Sequence, residues 1–378
     1  MKLIDKNGVI YDSIHDFARK TDVSRRYVQT MLKKKGYYEN KARSIVAFPY
    51  NEVTADTATT ISTTAGAKDI VNVPSCRVID EEYENFKAAR QTEYKIFKID
   101  KPETSDGFRY AVALFSDAHI DETVNPDSVL GLNEYDTEIA KERVSAYFAN
   151  LATCLKRDAV SDLYFASLGD TISGFIHPHL EQENGMTPQE AVLFGQSLIV
   201  SGMKYLREKL PAVSITFIGI SGNHSRTTKK IQASNGYKLS YEWIMYHNVK
   251  QICEGLELDI EFIIPESELA LIETPDNKRY IFCHGFQVQS KGTGTVAGIY
   301  PALQRLAMKW QKVFQQDKIF LGHYHTNVSI PTATVNGSII GYNAFALSNG
   351  MGYEEPAQQY EVYDSEVGQL LSRKIYCK

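Results

Sequence analysis

The amino-acid sequence predicts an α/β protein, and two observations carry that reading. Five short runs, Tyr110–Phe115, Asp162–Leu168, Ser214–Ile220, Lys278–Cys283 and Lys318–Leu321, are rich in β-branched and aromatic residues. Each stops at a small residue, a carboxylate, an asparagine or a histidine, the pattern of a buried strand that delivers polar groups at its C-terminal end. Helical patterns, at about 137–157 and 188–210, separate the first three of these runs, so strands and helices alternate.

Composition bounds what such a chain can be. Its 378 residues, 43% hydrophobic and 23% charged, suit one large domain with an appendage. No apolar run approaches the roughly 18 residues that span a bilayer, and Met1–Lys6 lacks the apolar core of a signal peptide. A cytoplasmic protein without membrane contact is expected, in a host cytoplasm if the gene is carried by a phage. The cysteines (Cys76, Cys154, Cys253, Cys283 and Cys377) are scattered and never spaced C-x-x-C, which argues for reduced thiols and against disulfides or structural zinc. Net charge is -5, but residues 1–46 hold eleven Lys or Arg against five Asp or Glu. A polyanion would therefore meet the N-terminus first.

Within that basic segment, residues 2–11 read as a hairpin turning at Asn7-Gly8. Ser13 can cap a helix whose Ile14, Phe17 and Ala18 share a face, and Ser24 can cap a second that turns Tyr27, Val28, Met31 and Leu32 inward. Arg25, Arg26, Gln29 and Thr30 would then face outward, followed by Lys33, Lys34 and Lys35. Such side chains contact base edges and phosphates. The segment resembles the helix-turn-helix modules appended to phage and homing nucleases, which implies DNA as a partner; the plainer alternative is a basic helix pair that docks on another protein. Residues 47–68 are small and polar and read as a linker. Residues 69–107 form a connecting segment of unassigned role, in which Tyr94–Ile99 alternates like an edge strand.

The chemistry is concentrated at the ends of the five runs. The first leads into Asp117-Ala118-His119, the second into Gly169-Asp170, and the third into Gly222-Asn223-His224. The fourth leads into His284-Gly285 and the fifth into Gly322-His323-Tyr324-His325. Any one of these could be an ordinary turn, but all five at apolar run ends are hard to attribute to chance. Asp, His and Asn are the side chains that bind divalent cations, and a histidine can also move a proton near neutral pH.

With its ordered D-x-H, G-D, G-N-H, H and G-H-x-H, the chain resembles the calcineurin-like metallophosphoesterases over about residues 108–350. The resemblance implies a double-β-sheet sandwich flanked by helices, with residues 108–378 as its domain. It also implies two metals, one held by Asp117, His119, Asp170 and His325 and the other by Asp170, Asn223, His284 and His323. Mixed His and carboxylate ligation suits Mn, Fe or Zn better than Mg, and the resemblance favours Mn. His224 would stabilise or protonate the leaving oxygen. Many members carry an acid directly after that histidine, whereas this chain has Ser225, so the group that orients His224 is unassigned. Arg226 is either a phosphate clamp or a surface arginine.

His177 and His179 fall in a loop after Asp170 and could touch substrate. Gly292-Thr293-Gly294-Thr295 lacks the spacing of a phosphate-binding P-loop, and Asn336-Gly337 reads as a hairpin turn. A metal-dependent nuclease or phosphodiesterase is the expected activity. A small-molecule phosphatase or cyclic-nucleotide phosphodiesterase and a non-enzymatic DNA-binding scaffold are the alternatives. No motif in the sequence specifies an oligomeric state.

Overall fold

The computed structural model describes residues 2–5, 10–11, 14–21, 28, 38–40, 45–50, 95–99, 107–176, 180–288 and 299–378. The chain divides into two compact units, Met1–Thr92 and Glu93–Lys378. Among the described residues, no helix is long and apolar enough to cross a membrane.

In the first unit, β1 (Lys2–Asp5) and β2 (Ile10–Tyr11) pair antiparallel, forming the expected hairpin. Helix α1 (Ile14–Thr21) comes next, with Phe17 and Ala18 buried and Asp16 paired with Arg19 and Lys20. The unit also contains β3 (Tyr38–Asn40) and β4 (Ile45–Tyr50), giving a sheet of order β2-β1-β4-β3. Strand β4 takes residues 47–50, the start of the expected linker, into this sheet. It pairs with β3 only through Ile45, Val46 and Ala47, so Pro49 lies where one side of the strand needs no N–H donor. The proposed DNA-contacting residues Arg25, Arg26, Gln29, Thr30, Lys33 and Lys34 lie outside the described residues, as do 51–94.

The second unit begins with β5 (Ile96–Lys98) and β6 (Arg109–Phe115). Then come α2 (Thr137–Asp158), β7 (Asp162–Ser167), α3 (Leu180–Glu183), α4 (Pro188–Lys209) and β8 (Ser214–Gly219). Helix α5 (Tyr241–Gly255) leads into β9 (Glu261–Ile263), β10 (Leu269–Glu273) and β11 (Arg279–Cys283). The chain ends with α6 (Tyr300–Phe314), β12 (Lys318–Leu321), β13 (Val328–Ile330), β14 (Ala333–Val335), α7 (Ala344–Ser348), β15 (Ala357–Asp364) and β16 (Gly368–Tyr376). Both long helices start at the residues the sequence pattern indicates, 137 and 188; Asp136 caps α2, and Thr187 with Glu190 makes a capping box on α4.

These elements build two six-stranded sheets, ordered β16-β15-β6-β7-β8-β9 and β13-β14-β12-β11-β10-β5. The period-2 alternation of each inner strand explains the layering. Along β6, Tyr110, Val112 and Leu114 join a core with Ile272, Tyr280, Phe282 and Phe320 of the other sheet. Ala111, Ala113 and Phe115 point the opposite way, among Phe148, Met203 and Val249 of the helices. Strand β11 divides likewise, with Ile281 and Cys283 in a third cluster that contains Leu303 of α6. The result is a helix–sheet–sheet–helix sandwich in the α/β class. Because β6, β7 and β8 are mutually parallel, as are β11 and β12, the loops that carry the motifs emerge at strand C-termini.

One expected turn is corrected. Neither Asn336 nor Gly337 has the positive φ that a type I′ turn requires, and the antiparallel hairpin instead joins β13 to β14. Asn336 is buried and donates to Ser116 Oγ and Gln358 Oε1, both at 2.8 Å. The dipeptide therefore leads out of β14 beneath the loop that leaves β6.

A buried ion pair links the two sheets. Lys318 Nζ of β12 lies 2.9 and 2.7 Å from the carboxylate oxygens of Glu361 on β15, which also accepts from Ser329, Thr334, Ser372 and Tyr363. Burial pushes the Glu361 carboxyl up, but Lys318 and the hydroxyl donors outweigh it and hold its pKa below the ordinary value. Such a depressed carboxyl contributes stability above its unfolded pKa and loses it as pH falls through the folded one. Lys318→Met would strand this buried charge and is expected to cost about 3–5 kcal/mol at pH 7. Urea unfolding should show the gap between parent and variant narrowing as pH falls through the acid range, because the unpaired, buried Glu361 of the variant takes up its proton at a higher pH than the paired Glu361 of the parent.

Candidate metal centre

Strand ends supply the site, and glycines allow them to approach. A Cβ at Gly222 would overlap the Asp170 carboxylate, and one at Gly322 would stand 2.6 Å from Asp117 Oδ2. The glycines of G-N-H and G-H-x-H are thus required by close packing of neighbouring loops. Backbone strain is concentrated here as well: Asp117, His119, Asp170, His323 and His325 all have φ between 47° and 73°. Left-handed backbone at so many non-glycine residues persists only where the surroundings enforce it, and it clusters at functional sites.

Two groups of potential ligands result, Asp117–His119–His325 and Asp170–His284–His323; the offered atoms within each lie within 4.8 Å of one another. Asp117 accepts from the His323 N–H at 3.1 and 3.0 Å and faces His325 Nε2 at 3.4 Å. In the second group His284 Nε2 lies 2.9 Å from Asp170 Oδ2, 3.0 Å from Asn223 Oδ1 and 3.2 Å from His323 Nδ1. Asp170 Oδ1 accepts the His224 N–H at 2.8 Å. The structure therefore brings together all seven residues expected to bind metal.

The donor set fits divalent cations. His119 Nδ1 is held by Ser173 Oγ at 2.7 Å, while its Nε2 is buried without a hydrogen-bond partner. His284 Nδ1 faces the Leu168 carbonyl at 2.7 Å and must donate there, so a neutral ring turns its Nε2 lone pair toward the oxygens of Asp170 and Asn223. Only a proton or a cation relieves that arrangement. Burial works against a charged His284, but the carboxylates of Asp170 and Asp117 prevail and raise its pKa to about 9. Fixing one ring nitrogen by a carbonyl or hydroxyl while the other faces the centre is the usual way to orient a histidine ligand.

His224 stands outside both groups, its ring 4.9 Å from that of His119 in an edge-to-face arrangement. Burial pushes its pKa down, and the nearby Asp170 charge opposes this. The Ser173 backbone also acts to raise it, by less than burial lowers it. Arg226 Nη1 donates to the Asn223 carbonyl at 2.5 Å, which ties the guanidinium to the loop of a candidate ligand. His177 and His179 lie outside the described residues, as does Gly292-Thr293-Gly294-Thr295.

Several supporting groups escaped the sequence reading. Glu242, in the first turn of α5, is fully buried and accepts from the Thr171 N–H at 2.5 Å, the Gly222 N–H at 2.6 Å and Ser225 Oγ at 2.7 Å. Burial and the Asp170 charge push its carboxyl up to about 7, against those donors. An acid is thus present beside Ser225, but it arrives from a helix seventeen residues downstream. The only local signal, an acid after the cap Ser240, reads as helix capping. Asp121 is a second such group, accepting from the N–H groups of Ser173 and Gly174, with burial raising it to about 7.

A cavity of about 430 Å³ opens over the centre, lined by His119, Asp170, Asn223, His224, His323 and His325. Leu180, Phe345, Ala346 and Met351 form an apolar wall. Volume and lining are those of a ligand site with a few convergent polar groups.

No protein-family model matches the chain, and no curated protein does. Solved structures do match; one is 8% identical with a TM-score of 0.30, the alignment covering 70% of this chain and 98% of that one. That likeness is too low to speak to fold or function.

Glu242→Ala orphans two buried N–H groups, each worth about 1–3 kcal/mol, and is expected to lower both stability and metal uptake. Gly222→Ala, whose new methyl would meet the Asp170 carboxylate, should abolish uptake at that loop. Gly255→Ala, with nothing within 4 Å of the added carbon, serves as control. Metal-to-protein ratios after dialysis, read beside urea unfolding curves, would check all three.

Proposed function

We propose that the chain is a calcineurin-like, two-metal phosphoesterase that hydrolyses phosphodiester bonds, with nucleic acid as its substrate class. One observation supports this above the others: two buried Asp/His groups meet at the floor of one cleft, with a further histidine beside them. Asp117, His119, Asp170 and His325 would hold one cation, and Asp170, Asn223, His284 and His323 the other, with Mn favoured over Fe, Zn and Mg. When bound, such a pair of cations acidifies a water and neutralises charge on the phosphoryl group.

The remaining work falls to this chain's own side chains. His224, half-buried and held below the ordinary imidazole pKa by burial, presents an imidazole over the cleft. An entering phosphate anion favours its protonated form, and a proton held there can pass to the leaving oxygen. Asp170 anchors this residue through its backbone N–H, and the edge-to-face contact with the His119 ring packs against the imidazole. Arg226 adds a permanent positive charge on the same loop, suited to a phosphate oxygen.

The nucleic-acid assignment rests on the excess of positive charge in residues 1–46. A small phosphodiester is the second reading, supported by the modest cavity and its apolar wall.

Mn-loaded protein should cleave labelled linear or circular DNA and bis(p-nitrophenyl) phosphate. His224→Ala should lower kcat by about 10²–10⁴ while keeping the metal, and Asp170→Ala should lose both metal and turnover. Hydrolysis of the small ester with all nucleic acids left intact would favour the second reading. A metal-loaded protein that cleaves neither would defeat both.

A further inference from the structure

The loop between β8 and α5 contains a charge pattern that extends beyond Arg226 and that the site chemistry does not use. From Arg226 to Ser240 the chain holds four cations, Arg226, Lys229, Lys230 and Lys238, and no Asp or Glu, in a protein whose net charge is -5. Lys229, Lys230 and Lys238 are exposed, as is the whole stretch 229–235.

The base of this loop is built into the candidate metal centre. Thr227 N–H donates to the Leu239 carbonyl at 2.9 Å and Tyr241 N–H to the Ser225 carbonyl at 2.8 Å. Ser225 and Ser240 hydroxyls meet at 2.7 Å, and Ser225 also donates to Glu242. On the returning limb, the Tyr237 carbonyl accepts from Ser221 Oγ at 3.2 Å. Glu268 packs its Oε1 against Gly236 at the foot of the loop, and burial raises its pKa. The cations thus rise from a base fixed to Asn223 and His224. Lys230 is seven residues beyond Asn223, hence within about 25 Å of it at full extension.

We propose that this loop is a backbone track for a polynucleotide, contacting phosphates that flank the one in the cleft. The inference rests on the phosphodiesterase reading and deepens it by naming a polymeric substrate. A polymer with one phosphate over the centre must carry its neighbours past the cleft mouth, where only repeated positive charge offers a sequence-independent hold. Exposed lysines on flexible stems suit that role, since they track a moving backbone without fixing its geometry. A small phosphodiester has no flanking phosphates and would gain nothing from them.

The test uses the full-length, Mn-loaded protein and its Lys229→Gln/Lys230→Gln/Lys238→Gln variant. Kcat/KM is measured for a labelled single-stranded oligonucleotide and for bis(p-nitrophenyl) phosphate over a range of salt. The ratio of oligonucleotide to small-ester kcat/KM should fall about tenfold or more. The slope of log kcat/KM against log salt for the oligonucleotide should shrink by about 2–3, near one unit per lost contact. An unchanged ratio and slope, with both substrates still hydrolysed, would overturn the track and leave the phosphodiesterase reading standing; the loop would then serve another acidic partner. Absence of turnover of either substrate by the parent would remove the phosphodiesterase reading, and the track with it.

Discussion

The centre depends on a single buried carboxylate. Glu242 reaches from α5 to the backbone just after Asp170 and to the backbone just before Asn223, and it takes one hydrogen bond from each. Two strand-end loops that would otherwise expose orphan N–H groups in the interior are thereby held in one register. Glu242 is fully buried, so its loss would leave those donors with their full desolvation penalty. The helix start that positions Glu242 is itself fixed by Ser240, whose hydroxyl caps α5 and touches Ser225.

Around this clamp the acids divide into two shells of different electrical character. Asp117 and Asp170 are held below the usual carboxylate range because histidine partners outweigh burial. Asp121 and Glu242, whose hydrogen-bond partners are N–H and hydroxyl donors, are pushed up to about 7 by burial. The inner pair can therefore offer charge to a cation while the outer pair serves mainly as hydrogen-bond acceptors for the loops. Environments that push like groups apart in this way are how one site assigns different tasks to the same side-chain type. The left-handed backbone at five inner residues belongs to the same arrangement: strain there is tolerable because two sheets and their clamps over-determine the loops.

Much of this was legible in the sequence, for a physical reason. Strands that are buried on both faces appear as continuous apolar runs, and the residues just past the C-terminal end of such a run are presented in a cleft. Asp117, His119, Asp170, Asn223, His284, His323 and His325 could be found that way. Groups that act through long-range packing could not. Glu242 looks like helix-capping chemistry until α5 is docked, and Asp121 looks like part of a surface turn until the Ser173 and Gly174 N–H groups converge on it. The Asn336-Gly337 reading failed because the same dipeptide that favours a tight turn also supplies a buried amide and a residue without a side chain. Between two sheets, Gln358 and Ser116 put Asn336 to that second use. Strands β3 and β4 were missed because they are short and Pro49 masks the pattern.

Charge placement connects the centre with the ligands it could accept. Asp117 and Asp170 place two negative charges at the floor of the cleft, offset in part by His284 with its pKa raised to about 9, and the acidic balance of residues 47–378 adds to them. Two divalent cations would reverse the local sign, since they bring more charge than the two carboxylates remove. Metal loading and anion binding are then coupled by electrostatics alone, without any movement of the scaffold. A polyanion gains further from any cations placed beyond the reversed centre, whereas a monoanion is already satisfied there. The stretch from Arg226 to Ser240 contains four cations and no acid, and it is on this contrast between polyanion and monoanion that the proposed polynucleotide track rests.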